Sequence, residues 1–362
     1  MKRTSIILIV ALCLALASAL PALAAADMGA ALDYLQTQQN ADGGFGSGFS
    51  PESTVGSTSD VLLAIIAGGG DPTSFAQNGD TPVTYLAGQA GAVTTSGDLA
   101  KLILAAVAAG ENPREFGGVD SVAKLEGTIG ADGRIGTAND TFVSHLLGVL
   151  ALASVRRPIP DAAISHIEEA QQENGGWAWD GTAETAADTN TTAFAVQALA
   201  AAGQAGDSEA IAQAIEYYRG IQNEDGGWPY QNPSDFGTDT DANSTALAIQ
   251  AILAAGQDPA DWTAASGQGP VAALEAFQNE SGAFAWQAAM PDDNLLATVQ
   301  ALPALAGETL PLATMAVGAA AATPAAPETI PETGGPALGL ALPLVLSGLA
   351  LAAGGWALRR RQ

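Results

Sequence analysis

The chain has 362 residues, 48% of them apolar, and a formal net charge of −26 at pH 7. That is ample for a large core, and the sign of the charge opposes binding to nucleic acid or to an anionic membrane face through general electrostatics. The only cysteine, Cys13, lies near the start, so no disulfide, thiolate zinc site or cysteine nucleophile is available further along.

Lys2 and Arg3 precede an uncharged run from Ile6 to Leu20, and Ala22, Leu23 and Ala24 supply small residues at a cleavage site. This order is that of a secretory signal peptide over residues 1–24, which predicts an extracellular protein beginning near Ala25.

From there the chain repeats itself. Six segments, together spanning residues 28 to 307, each read as a helix, a glycine-containing turn and a second, more apolar helix. The fifth is the clearest. Ile211, Ala214, Ile215, Tyr218 and Gln222 share one face of its first helix, because three- and four-residue steps return to the same side of a 3.6-residue turn. Asp225, Gly226 and Gly227 stop that helix, since glycine tolerates the left-handed conformation that helix ends need. Asp241, Asn243, Ser244 and Thr245 then offer oxygens to cap a second helix, expected from Thr245 to Ala255. That helix is apolar nearly all round and has to be covered on more than one side.

Six such hairpins predict an all-α fold, an (α/α)6 toroid over residues 25–309 with outer and inner helical layers. Every inner helix then runs the same way and all six N-termini gather at one end. An open solenoid is the competing arrangement. Pro303 is expected to interrupt the last inner helix.

Residues 310–333 turn to Ala, Pro and Thr, a linker composition. It ends on Ile330, Pro331, Glu332, Thr333 and Gly334, which resembles the LPxTG sorting signal of sortase-anchored surface proteins, with Ile330 in place of leucine. Residues 336–358 carry no charge and are followed by a basic tail, 359–362, with Arg359, Arg360 and Arg361. That predicts a transmembrane helix with a cytoplasmic C-terminus. A retained membrane anchor and sortase transfer to the cell wall are both open, and both put the folded part at the cell surface. Both ends together hold five of the 12 basic residues and no acidic one. The exterior part therefore sets 7 basic against 38 acidic residues, a net −31.

Four copies of one pattern stand in register across the repeats: Gln39, Gly43 and Phe45; Gln171, Gly175 and Trp177; Gln222, Gly226 and Trp228; Gln278, Gly282 and Phe284. They resemble the QW motif of squalene-hopene cyclases, within the wider prenyltransferase and squalene cyclase repeat superfamily that also includes cobalamin carriers. The resemblance implies an α/α toroid, in which these residues tie neighbouring repeats together. A glutamine at a helix end can bond orphan carbonyls, and a large aromatic at a repeat position is ordinarily core.

The resemblance also implies where chemistry would sit. Cyclases of the second class start from the middle aspartate of Asp-x-Asp-Asp-Thr-Ala. Here the matching segments begin at Asp188 and Asp241 and place Asn190 and Asn243 at that position, with Asn139 and Asp140 repeating the pattern. An amide is no strong acid, so the expectation leans to a non-catalytic protein that binds a hydrophobic or cofactor-like molecule, or a surface partner, in the toroid cavity. A cyclase-like or glycan-active enzyme using Asp140, Asp188 or Asp241 is the alternative, and a purely structural surface protein a third. Prenyltransferase zinc chemistry lacks its ligands, because outside Cys13 only His145 and His166 are present.

Asp239, Asp241 and Asn243 begin like a calcium loop, but Ser244 and Gln250 replace its glycine and glutamate. An EF-hand is thereby excluded, while a looser calcium site stays open against simple capping. No cofactor is otherwise implied. Gln197, Gln250 and Gln300 recur within apolar inner helices and need partners or a cavity. Trp179, Tyr230, Asp235 and Asp239 in the long loops, with Asp188, Asn190, Asp241 and Asn243, form the candidate ligand-binding set, since aromatic faces and carboxylates together also suit a sugar.

Overall fold

A computed structural model describes residues 25–319 apart from 49, 138–139 and 236. The expected signal peptide, the motif Ile330 to Gly334, the span 336–358, the basic tail and Asn139 lie outside the described residues. Among the described residues no helix is long and apolar enough to cross a membrane.

Among the described residues twelve α-helices pair into six hairpins. The outer members are α1 (Met28–Thr37), α3 (Pro82–Gln89), α5 (Ser121–Glu126), α7 (Asp161–Glu169), α9 (Glu209–Ile221) and α11 (Pro270–Glu275). The inner members are α2 (Val55–Ala67), α4 (Ser96–Ala108), α6 (Phe142–Ser154), α8 (Thr189–Ala201), α10 (Ala242–Ala254) and α12 (Leu295–Ala306). The two layers differ as their sequences require. Outer helix α9 buries one face, from Ile211 to Ile221, whereas eleven of the thirteen residues of α10 are buried.

Each inner helix packs against the next, and α12 packs back against α2. The ring therefore closes, and the solenoid is excluded. Closure is also hydrogen-bonded: the Gln278 amide donates to the Asp27 carbonyl at 2.8 Å, and its Oε1 accepts from the Asp27 N–H at 2.7 Å. Gln39 and Gln171 reach the following repeat likewise, at Phe75 O and Ala210 O. Gln222 bonds only its own turn, at Gly226 O. Gly282 has φ +86°, and a Cβ there would lie 2.1 Å from the Ala30 carbonyl oxygen, so only glycine lets repeat six abut repeat one.

The motif aromatics Phe45, Trp177, Trp228 and Phe284 are fully buried. Each donates its backbone N–H to the threonine at the fourth position of its inner helix: Thr58, Thr192, Thr245 and Thr298. In repeat three, Ile135 and His145 take these two places, and Ile135 N–H donates to His145 Nδ1 at 2.9 Å.

Three boundaries differ from expectation. The inner helix of repeat five starts at Ala242 rather than Thr245, because Asp241 is the cap and its carboxylate accepts from Ser244 N–H. Pro303 sits inside α12 without ending it; the helix runs to Ala306 and stops at Gly307, whose φ is +73°. Its loop carries a small antiparallel hairpin, β1 (Phe284–Gln287) with β2 (Met290–Asn294), pairing Phe284 with Asn294 and Ala285 with Asp293.

The supposed linker is also not free at its start. Leu310 N–H donates to Gln197 Oε1 at 2.8 Å, Met315 N–H to Ser154 O at 2.7 Å, and Arg156 reaches Thr314 Oγ1 at 2.9 Å. Leu310, Leu312, Met315 and Val317 pack against the core. Residues 310–317 thus form a strap across the end where the inner helices finish. Alanine and proline composition hid it, because its four apolar anchors alternate with Pro311, Ala313, Thr314 and Ala316 and two of its bonds come from backbone donors.

Candidate functional site

All six inner helices begin with a side chain that caps the third N–H along: Thr54, Thr95, Thr141, Asp188, Asp241 and Asn294. Asp188 and Asp241 are therefore the carboxylate versions of a cap that is threonine or asparagine elsewhere. Both are 1% exposed. Asp188 accepts from Thr191 N–H at 2.7 Å and Thr191 Oγ1 at 2.8 Å, and Asp241 accepts from Ser244 N–H at 2.7 Å and Ser244 Oγ at 3.0 Å.

Burial disfavours the charged form and pushes the Asp188 carboxyl up to about 6, against the pull of hydrogen bonds from Thr191, Asn190 and the Tyr230 hydroxyl. Burial likewise pushes Asp241 up to about 6, opposed by bonds from Ser244, the Tyr230 backbone and Asn243. Tyr230 stands between the two carboxyls. Its phenol is pushed up to about 12, first by burial and then by the charge of Asp188. Asp140 behaves oppositely. Burial raises it, but bonds from Thr137 and Ser96 outweigh that and hold it below the usual carboxylate range.

Counting from these caps, the second, sixth and ninth residues of the inner helices form three layers around the axis. The second position carries Asn190, Asn243 and Leu296. With Tyr230, Asp241, Trp286 and Asn294 they line a mouth cavity of about 320 Å³. Below it, a lumen cavity of about 210 Å³ is walled by Leu63, Leu104, Leu147, Phe194, Leu247 and Val299, with Leu310 of the strap. Leu296 and Gln300 line both cavities, so the two adjoin.

The candidate set divides accordingly. Asn190, Tyr230, Asp241 and Asn243 meet at the mouth, with Asp188 immediately behind Tyr230. Trp179 is 50% exposed, Asp235 and Asp239 are exposed, and none of the three lines the mouth or lumen. Asn243 Nδ2 donates to Gln300 Oε1 at 2.9 Å. Gln197 accepts from the strap, and Gln250, 3% exposed, has no hydrogen-bond partner among the described residues.

Sequence reasoning missed Trp286, Asn294, Asp60 and Lys101. The last two, paired at 2.5 Å, stand at the sixth position of α2 and α4 and line the lumen. A charge in the second turn of a helix that is apolar from there on was the available signal.

His145 is fully buried and held on both sides, Nδ1 by Ile135 and Nε2 donating to Ala163 O at 3.0 Å. Burial pushes its imidazole down to about 4, so the ring is neutral at pH 7. No group of three or more His, Cys, Asp or Glu among the described residues could hold a metal ion.

Residues 137–291 match the squalene-hopene cyclase C-terminal domain, and residues 6–141 match the prenyltransferase alpha-alpha toroid domain. The fold is an α/α toroid of the prenyltransferase and squalene-cyclase type. Among solved structures, the type II terpene cyclase MstE from Scytonema is similar to this toroid with a TM-score of 0.55 at 16% identity, over 77% of this chain and 96% of that one. Its R337A form, in complex with the substrate geranylgeranyl dihydroxybenzoate, gives 0.54 at 15% identity, over 77% and 95%. A protein from Actinoplanes gives 0.53 at 16%, over 77% and 98%. Likeness at such identities carries the fold alone. No curated protein sequence matches the chain.

Proposed function

We propose that this toroid is a terpene-cyclase-like receptor: it takes an isoprenoid or similarly elongated hydrophobic molecule into the lumen and holds the molecule's polar end at the mouth. One observation carries the proposal. Two adjoining cavities on the ring axis, mouth and lumen, both have largely apolar walls set with a few polar side chains, and ligand sites combine an apolar wall with a few placed polar groups in this way. The strap supports it by adding Leu310 to the lumen wall. The acidic exterior, signal peptide and C-terminal anchor fit work at the cell surface, and we place it there.

A second reading is turnover of the same ligand, and the likeness to type II terpene cyclases favours it. Asp188 and Asp241 titrate near pH 6 at the mouth, so either holds a proton more readily than an ordinary carboxylate. Against it, both carboxylates are engaged as caps, and Asn190 and Asn243 occupy the layer that faces the cavity.

One experiment separates the two. Purified protein is incubated with farnesol and geranylgeraniol at pH 5 and pH 7; bound alcohol is measured by native mass spectrometry and extracted products by gas chromatography. The receptor predicts one-to-one binding with the alcohol recovered unchanged. Cyclised product that disappears in Asp188→Asn or Asp241→Asn establishes turnover instead. Absence of both binding and product rejects the lumen as a site.

A further inference from the structure

The sixth position of the inner helices is a ring at one level: Asp60, Lys101, Leu147, Phe194, Leu247 and Gln300, all lining the lumen. The ring is split. Neighbouring helices α12, α2 and α4 carry Gln300, Asp60 and Lys101, and the other three helices carry Leu147, Phe194 and Leu247. At this level one arc hydrogen-bonds and the opposite arc only packs.

Within the polar arc, Lys101 Nζ bonds Asp60 Oδ2. An ammonium has three donors, and this bond uses one of them. Three positions further along α10, the Gln250 amide is almost fully buried, lines the same cavity and has no partner among the described residues. Its polar atoms open onto the cavity and not into packed protein, so they are free to pair with what the cavity takes. Lys101 is also the only basic residue on the wall of the mouth or lumen, in a chain whose exterior part has just seven. Its charge is already balanced by Asp60, which disfavours an anionic ligand and leaves donors for a neutral acceptor.

We propose that the lumen is a specificity site for an oxygenated ligand: a hydrophobic chain bearing a neutral carbonyl that reaches the middle ring, where Lys101 donates to the carbonyl oxygen, Gln250 offers an amide from across the lumen, and Leu147, Phe194 and Leu247 pack the hydrocarbon. The proposal rests on the lumen being the ligand site and adds the ligand's chemical class.

The test compares an isoprenoid ketone, farnesylacetone, with the hydrocarbon farnesane, each delivered from cyclodextrin to the purified protein and measured by native mass spectrometry. The ketone should bind about tenfold tighter, the worth of a charge-assisted hydrogen bond. The double variant D60N/K101M, which removes the pair without leaving a buried unpaired charge, should erase that preference while binding farnesane as before. Gln250→Leu should reduce it too, in a protein whose thermal transition is unchanged. Equal binding of both probes, or a preference that survives in D60N/K101M, overturns the carbonyl site and leaves the lumen as a hydrocarbon receptor. Failure of both probes to bind overturns the site and the receptor together.

Discussion

Asn243 donates its side-chain amide to Gln300 Oε1 across 2.9 Å, joining the first turn of α10 to the middle of α12. The residue at the position where the resemblance to cyclases implies an acid thus holds two inner helices in register at the border of mouth and lumen. Asn243→Leu leaves Gln300 without its donor in a half-buried place at the cavity wall. We expect a loss of about 0.5–1.5 kcal/mol, read by urea unfolding, and weaker ligand binding with it. Wild-type stability in this variant would show that the bond contributes nothing.

The two buried caps make stability depend on pH in a defined direction. Asp188 and Asp241 titrate near 6 in the folded protein against 3.8 as ordinary carboxyls. Between those values the folded chain holds protons that the unfolded chain releases, so their contribution is greatest below about pH 4 and is lost as pH rises through 6. Each shift corresponds to about 3 kcal/mol. Asp241→Asn keeps an oxygen for the Ser244 N–H and removes the titration. Relative to wild type it should gain stability between pH 4 and pH 8, by up to about that amount. A difference that stays constant with pH would contradict the assignment.

His145 works in the opposite sense. Its imidazole titrates near 4 when folded and 6.5 when free. The unfolded chain therefore binds the extra proton first, and stability falls as pH drops from 6.5 towards 4. His145→Thr restores the residue that the fourth position carries in four other repeats, and should flatten the acid limb of the stability profile. The gain in acid competes with a cavity left by the smaller side chain, so the slope with pH is the quantity to compare.

Ring closure rests on Gly282 as much as on Gln278. A Cβ at this positive-φ position would meet the Ala30 carbonyl at 2.1 Å. Gly282→Ala should cost several kcal/mol, beyond the roughly 1 kcal/mol of an ordinary glycine change, and should speed hydrogen exchange in α1 and α12 more than in α6. Uniform or unchanged exchange would argue against a seam at repeats six and one.

The repeat architecture was legible because it is written in local chemistry. Glutamine, turn glycine and aromatic recur in register, and the inner helices are apolar on every face; six such units leave few ways to cover them. The caps were legible too, although a run of four capping-type residues obscured which one starts α10. The lumen was not. Which inner-helix residues face the axis depends on how the ring closes, and only with all six helices aligned from their caps do Asp60, Lys101 and Gln300 fall on one arc. Trp179, Asp235 and Asp239 looked equal to Tyr230 in sequence, but loop geometry turns them outward. The strap escaped notice for a related reason: its apolar residues find their places only on the closed ring, and its bonds to Gln197 and Ser154 come from backbone N–H groups, which carry no residue signature.

That strap gives a further prediction. Leu310→Asp places a carboxylate on the lumen wall beside Gln197. The Leu310, Met315 and Val317 amides should then exchange quickly in mass-spectrometric hydrogen exchange while those of α10 stay protected. Equal protection in both proteins would mean that the strap is held by something other than the lumen.

The claim that the lumen is the binding site is tested most directly by filling it. Leu247→Trp adds a large side chain to the middle ring, opposite the polar arc, without touching the mouth. Geranylgeraniol binding to the purified protein, measured by native mass spectrometry, should be one-to-one in wild type and at least tenfold weaker in Leu247→Trp, with the mouth variant Trp286→Ala affected less. Undiminished binding in a folded Leu247→Trp protein would place the ligand elsewhere and contradict the account.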